Sequence, residues 1–454
     1  MRAAPPDLPG AQTSDSPIDR ALTLLLADEV EAALRWSAAA VERDPTMPSA
    51  LVITCRLLVQ LGRTEAAGDG FDLAVRRATD AANLPLAVAA IGDLRALGVD
   101  VSEHLEQVAA AFCLGSPRLQ EGEAPAPPPP LPQFDGFQPL SSFLTGPALT
   151  SKAQQILHAA ASAYEQGAGE ELPLVAPLPL FGALTKDGLR DLLGAFEMVT
   201  VPAGHVVIAE GTEGSEAFIV ARGELEVTRR AAEQDGKPVV LARLASGALF
   251  GEMALLSRAP RAASVVAARP SILLVARREA LEAVAGKRVE VGVELAAHCR
   301  RRMVANLART SAVLVSVPSS VRSKLVERFE TRIFERGDKL VSEGEEAQGL
   351  HLVASGEVAV VAHEGGEPVV LASLPVGETV GEVALVLRRK ANADVTAVHP
   401  TVTLFLPRDE FISLVHDHPA ILHALYMMAI QRDDETIQAL STSTAAVADD
   451  YVLL

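Results

Sequence analysis

In the stretch FGEMALLSRAPRAASV, Phe250 to Val265, an acid, Glu252, and a base, Arg261, stand nine residues apart with small and apolar side chains between them. An ionised carboxylate only accepts hydrogen bonds, whereas a guanidinium presents a fork of donors matched to phosphate oxygens. Together they suit a ligand with a hydroxyl to donate and an anionic group to be held. Gly251 lets the backbone approach such a ligand closely. EMALL begins a short helix whose free N–H groups face an anion, and Pro260 stops that helix and turns Arg261 back over the same anion. Ala254, Leu255 and Leu256 are then left to fill the core beneath. A competing reading has Glu252 and Arg261 simply paired with each other on a domain that binds nothing.

These residues need a frame, and the chain supplies it twice. From about Leu180 the hydrophobic period falls toward two, with glycines punctuating short runs of Val, Leu and Ala, which predicts a compact all-β unit. VPAGHVVIAEGTEGSEAFIVARGELEVTRR (Val201 to Arg230) is matched by FERGDKLVSEGEEAQGLHLVASGEVAVVA (Phe334 to Ala362). The shift is 133 residues at Gly204/Gly337 and Gly223/Gly356 but 130 at Gly236/Gly366 and Glu252/Glu382, so the second copy has a hairpin three residues shorter. Helical patterning from Arg278 to Leu314 predicts a hinge helix between two β-rolls.

The second cassette, VGEVALVLRRKANADV (Val380 to Val395), keeps Gly381, Glu382, Ala384 and Leu385, but has Lys390 at the Pro260 position and Ala391 at the Arg261 position. Losing a charge-assisted contact of about 1.5 to 3 kcal/mol weakens binding roughly 10- to 150-fold. Asp394 replaces Ser264 and adds a negative charge where an anion would sit. Arg388 and Arg389 are candidate substitutes, although solvated loop arginines are the simpler reading. A second site that is weak, altered or empty is expected.

The spacing of Gly204, Gly211 and Gly223 followed by FGEMALLSRAPRAASV resembles the cyclic-nucleotide-binding domain of bacterial catabolite regulators, cyclic-nucleotide-dependent kinases and gated channels. The resemblance covers Leu180 to His416 as two tandem copies. It implies that Glu252 takes a ribose 2′-hydroxyl and Arg261 the cyclic phosphate, with Phe250, Gly251, Met253, Ala254 and Ser264 around them. In that family the residue after the arginine helps choose the base, so Ala262 implies cAMP in preference to cGMP. Thr310 and Ser311 resemble the Thr-Ser pair with which catabolite regulators reach the adenine from their long helix; two polar residues near a helix end is the plainer alternative.

Residues 17–115 are rich in Ala and Leu at helical spacing. EAALRWSAAAVER (Glu31 to Arg43) recurs as EAAGDGFDLAVRR (Glu65 to Arg77), a shift of 34 residues, the period of a helix-turn-helix repeat. With Asp44-Pro45 after one helix, this resembles tetratricopeptide repeats and implies a groove for a protein partner; a plain helical bundle that props the next domain is the alternative. Residues 116–150 hold a proline run, which predicts an exposed, semi-rigid linker, and helix resumes in SKAQQILHAAASAYEQ (Ser151 to Gln166). The expected fold is an α+β multidomain chain: an all-α helical domain over 17–115, the linker, a first β-roll domain over 151–312, a second over 313–440, and a flexible tail over 441–454.

A net charge of −18 opposes a chain that grips nucleic acid. Cys55, Cys113 and Cys299 fit neither a disulfide framework nor a paired-ligand metal site. With no apolar secretory core and no run of roughly 18 to 20 apolar residues, no membrane span is expected, and the protein is placed in the cytoplasm. Arg300, Arg301 and Arg302 read as a solvated helix face with one or two ion pairs, or as a contact to the acidic N-terminal region. His416-Asp417-His418 lacks a second ligand cluster, so no metal is expected. GxSxG, GxxxxGKS and HExxH are absent, so neither catalytic residues nor a cofactor is expected. After Pro419 one helix and a small-residue tail leave no room for a helix-turn-helix. These features point to a non-enzymatic cyclic-nucleotide sensor, its unidentified protein partner meeting the helical repeats. The alternative is a nucleotide-independent scaffold, its rolls serving as interaction modules in homo-oligomers or complexes.

Overall fold

The computed structural model describes residues 16–120, 136–167, 174–176, 178–230, 238–256, 258–315, 328–364, 367–419, 421–423 and 425–432. The predicted tail over 441–454 and the centre of the proline run lie outside the described residues. By Cα proximity the chain forms two compact units. The first holds the helical region and most of the first roll's strands; the second holds residues 208–217 and 250–264 of that roll together with everything from Val293 onward.

Six helices open the first unit: α1 (Pro17–Leu26), α2 (Val30–Arg43), α3 (Pro48–Gln60), α4 (Thr64–Asp80), α5 (Leu84–Ala96) and α6 (Ser102–Phe112). Proline sits in the first turn of α1, α3 and α5, where its missing N–H costs nothing. The Asn83 side chain caps α5 by accepting from the Leu86 N–H. The 34-residue repeat of the sequence falls on α2 and α4, and each of these helices packs on the next. Small residues set the spacing: a Cβ on Gly70 of α4 would lie 2.4 Å from the Cys55 Sγ of α3.

The stretch read as an exposed spacer is anchored at both ends. Arg118 is buried and donates to the carbonyls of Thr79 and Asp80 at 2.7 and 3.0 Å, satisfying the open end of α4. Leu140 N–H donates to the Arg35 carbonyl, and Gly146 N–H to Glu31 Oε1. Helix α7 (Gly146–Gln166) begins five residues earlier than Ser151 and packs on α2, α3 and α4. Periodicity missed its first turn because Gly146-Pro147 reads as a loop, although proline at N1 is a helix start.

The first roll follows α8 (Lys186–Gly194) and contains β1 (Glu197–Val201), β2 (Val206–Ile208), β3 (Glu216–Arg222), β4 (Glu224–Arg230), β5 (Pro238–Ala245), β6 (Leu249–Phe250), β7 (Ser264–Ala267) and β8 (Ser271–Arg277). They form two four-stranded sheets ordered β1-β8-β3-β6 and β2-β7-β4-β5. The second roll repeats the plan with β9 (Glu330–Phe334), β10 (Lys339–Val341), β11 (Gly349–Ser355), β12 (Val358–Glu364), β13 (Glu367–Leu374), β14 (Thr379–Val380), β15 (Asp394–Ala397) and β16 (Thr401–Pro407), ordered β9-β16-β11-β14 and β10-β15-β12-β13. Even the bulge recurs, at Val227/Thr228 and Val360/Val361. The three missing residues fall in one hairpin: Arg230 pairs with Pro238 in the first copy, and their equivalents His363 and Pro368 pair in the second.

Within the first unit, the helices grip the first roll. Helix α5 packs on β1 and β8. Asp19 of α1, buried, receives Arg222 at 2.5 Å and the Nε of Arg269 at 2.7 Å. Arg56 joins Asp93 at 2.9 Å to Thr200 Oγ1 at 3.2 Å. The predicted single hinge helix is instead three helices: α10 (Arg278–Lys287), α11 (Val289–Thr310) and α12 (Ala312–Val315), the first break being Arg288, which is extended. Met303, Val304 and Leu307 of α11 are buried in one cluster with Leu350, Leu404 and Phe411 of the second roll.

Candidate ligand site

In the first roll, Arg261 lies over a cradle of backbone. Its side chain is 8% exposed; Nη1 donates to the Gly251 carbonyl at 2.8 Å and Nη2 to the Glu216 carbonyl at 2.9 Å, with the Glu216 carboxylate 3.8 Å away. Two glycines make this possible. A Cβ on Gly214 would lie 2.5 Å from Nη2, and one on Gly251, whose φ is 75°, would lie 3.1 Å from Nη1. The Arg261 backbone is pinned as well: its N–H donates to Thr212 O and its carbonyl accepts from Gly211 N–H, both at 2.8 Å. The guanidinium is thus held on carbonyl dipoles beside one carboxylate, at the surface of the cassette rather than in bulk solvent.

Glu252 is 2% exposed and sits just before the short helix α9 (Met253–Leu256). It does not pair with Arg261. Its Oε1 accepts from Arg302 Nε of α11 at 3.2 Å, and its carbonyl takes the Cys299 Sγ at 3.6 Å, a thiol that burial raises to about 12. Phe250 and Ala254 are buried core residues, Met253 is half-buried and Ala262 is exposed. Ser264 Oγ accepts from the Glu210 N–H at 2.9 Å.

Two of the three consecutive arginines make ion pairs, as expected of that helix face, and Arg301 and Arg302 keep part of their side chains in solvent. Arg302 holds Glu252, Arg301 pairs with Glu294 at 2.5 Å, and Arg300 donates to the Phe329 carbonyl. Consecutive helix positions do point apart, but each found a different acceptor. The signal for Arg302 was in the duplication: the 130-residue offset that aligns Glu252 with Glu382 also aligns Arg302 with Arg432. Ser311 is fully buried and its Oγ has no hydrogen-bond partner among the described residues; the Thr310 side chain lies outside them.

In the second roll, Arg432 donates to Glu382 Oε1, Glu378 Oε2 and the Thr379 carbonyl, so the acid is again held by an arginine of a following helical stretch. Burial raises the Glu382 pKa, against the lowering effect of Arg432. Gly381, Glu382 and Ala384 line a cavity of about 150 Å³ with Val341, Val360 and Ala391. Arg388 and Arg389 are exposed and do not line it. Asp394 does not add its charge to the cavity. It takes the backbone bond that Ser264 takes in the first roll, from Glu343 N–H at 2.8 Å, and pairs with Lys339 at 2.7 Å. Those bonds hold its carboxyl below the usual range.

Duplicated rolls, each with a glycine-glutamate cassette and a following arginine, define a class, and comparison with known proteins agrees. Residues 198–288 and 331–418 match the cyclic nucleotide-binding domain family, so the chain carries two such domains in tandem. It is similar to the cAMP-dependent protein kinase regulatory subunit of Yarrowia lipolytica, 32% identical over 236 residues, 52% of this chain and 58% of that protein. It is also similar to the cGMP-dependent protein kinase 2 of Mus musculus, 26% identical over 252 residues, 54% of this chain and 31% of that one. Among solved structures, the regulatory domain of Toxoplasma gondii PKA with cAMP matches at 26% identity and a TM-score of 0.28, covering 56% of this chain and 92% of that one. The chain spans about half the length of the curated relatives it matches. No helix among the described residues is long and apolar enough to cross a membrane.

Proposed function

We propose that the first roll binds a cyclic nucleotide, cAMP in preference to cGMP, and that the chain is a non-enzymatic cytoplasmic regulatory protein whose surfaces change with that ligand. The observation that carries this reading is the Arg261 guanidinium, buried on the carbonyls of Gly251 and Glu216 under two glycines that leave it room. Arg261 receives the cyclic phosphate; Glu252, steadied by Arg302, accepts the ribose 2′-hydroxyl. Because one carboxylate serves both ligand and α11, ligand binding pulls on the helix whose far half packs in the second roll's core. Ala262 beside the arginine supports adenine. The regulated partner is a protein, as the names of the kinase regulatory relatives suggest.

Calorimetry and thermal shift with cAMP, cGMP and cyclic di-GMP test this. The expected result is a cAMP-induced stabilisation that Arg261→Ala removes. No heat with any of the three, and an Arg261→Ala chain indistinguishable from wild type, would defeat it.

A further inference from the structure

The second roll keeps its backbone frame while losing its arginine. Ala391 N–H donates to Glu345 O at 2.8 Å and Gly344 N–H to Ala391 O at 2.9 Å, the same two bonds that fix Arg261. Around that unchanged frame, three residues differ together. Arg261 becomes Ala391, Gly214 becomes Ala347, and Glu216 becomes Gly349. Ala347 is buried in the core and puts a methyl where its glycine counterpart had to leave space for a guanidinium. The ring of Phe405, replacing Val275, packs so close to Gly349 that a Cβ there would lie 2.6 Å away. An anion site has been dismantled as a unit.

What remains is a cavity with apolar walls, among them Val341, Val360 and Val383, and a polar end formed by Thr379, Glu382 and Arg432. One guanidinium there faces two carboxylates, since Glu378 joins Glu382 on Arg432 where the first roll has Ala248. A phosphate entering this cavity would be buried beside a net negative cluster with its cation already engaged, which is costly. Yet the cluster asks for a ligand. Glu382 is 2% exposed, Arg432 serves its Oε1, and Oε2 is buried with no hydrogen-bond partner among the described residues. Buried polar atoms are seldom left so.

We infer that the second roll is a pocket for an uncharged, hydroxyl-bearing ligand of nucleoside type, its hydroxyl donating to the open oxygen of Glu382 and its flat apolar part lying against the valines. This does not rest on the ligand proposed for the first roll.

The test uses the full chain carrying Arg261→Ala, which silences the first cassette, titrated calorimetrically with adenosine, guanosine, cAMP and cGMP. A wild-type chain saturated with cAMP replaces it should that variant not fold. At least one nucleoside is expected to bind once per chain, tenfold or more tighter than its own cyclic phosphate. Glu382→Gln should weaken that nucleoside tenfold or more, and the pair Ala391→Arg with Ala347→Gly should move the preference toward the cyclic phosphate. Absence of nucleoside binding, or a cyclic nucleotide that outbinds its nucleoside in this background, overturns the inference. Failure of cAMP to bind the wild-type chain would instead count against the first roll's reading and leaves the nucleoside titration to be judged by itself.

Discussion

The two rolls share strands, bulge, cassette glycine and cassette glutamate, yet they treat one charge in opposite ways. The first builds a recess for a guanidinium out of Gly214, Gly251 and the Glu216 carbonyl; the second fills the recess with the Ala347 methyl and leaves a cavity where the charge was. In a close-packed site a binding residue is not lost alone, because the neighbours it constrained are released with it. The flanks differ as well. Met198 and Thr200 of β1 meet Arg56 of the helical region, whereas the equivalent Thr331 and Ile333 of β9 are exposed.

The sharpest way to separate the rolls is to remove the helix arginine from each. Arg432→Ala strands the fully buried Glu382, and breaking such a pair costs about 3 to 5 kcal/mol. Arg302→Ala should cost less, since the Arg302 side chain is 40% exposed and solvent screens its pair with Glu252. The raised pKa of Glu382 adds a signature: protonation relieves the stranded charge, so the Arg432→Ala loss should be larger at pH 8 than at pH 5. Urea unfolding of both variants at the two pH values measures this, and equal losses would remove the distinction drawn between the carboxylates.

Next comes the cradle itself. Arg261→Ala is expected to weaken the cyclic nucleotide roughly 10- to 150-fold, the range for one charge-assisted contact. Gly214→Ala makes the first roll imitate the second at one methyl; a Cβ 2.5 Å from Nη2 must displace the guanidinium. Its loss of affinity should approach that of Arg261→Ala, while unfolding stability stays near wild type. Competition binding decides, and a Gly214→Ala chain of normal affinity would show that the arginine adapts.

Much of this was legible in the residues. Two offsets, 133 and 130, locate both rolls and the trimmed hairpin in the sequence alone, because a duplicated sheet must preserve its turn glycines and its alternation. Glu252 and Arg261 stood out by charge in an apolar stretch. The plainer features escaped. Gly214 looks like any loop glycine, and only the structure shows which side chain requires its bareness. Arg302 was hidden among like neighbours, and its acceptor lies fifty residues away in sequence. The sequence shows the charge of Asp394 but not its direction: the carboxylate follows Ser264 to a backbone N–H and is met by Lys339. Asp19, whose bonds to Arg222 and Arg269 anchor α1, gave no periodic signal at all.

The smallest expected difference is a histidine each roll buries where the other is apolar. His298 of α11 aligns with Met428, and His351 of β11 with Phe218. Burial lowers the pKa of both to about 4; Arg302 and Arg301 add to this at His298 against Glu294, and Arg332 adds to it at His351. With an unfolded value of about 6.5, the folded chain binds fewer protons between pH 6.5 and 4, so stability falls as pH falls through that window and levels off below it. At pH 6 the loss is about 0.8 kcal/mol for His351 and less for His298, whose charged neighbours are partly solvated. His298→Met and His351→Phe, each borrowing the other roll's residue, should flatten the stability profile over those pH values, the second variant more than the first. A profile that keeps its slope in both variants would assign the acid sensitivity to the carboxylates instead.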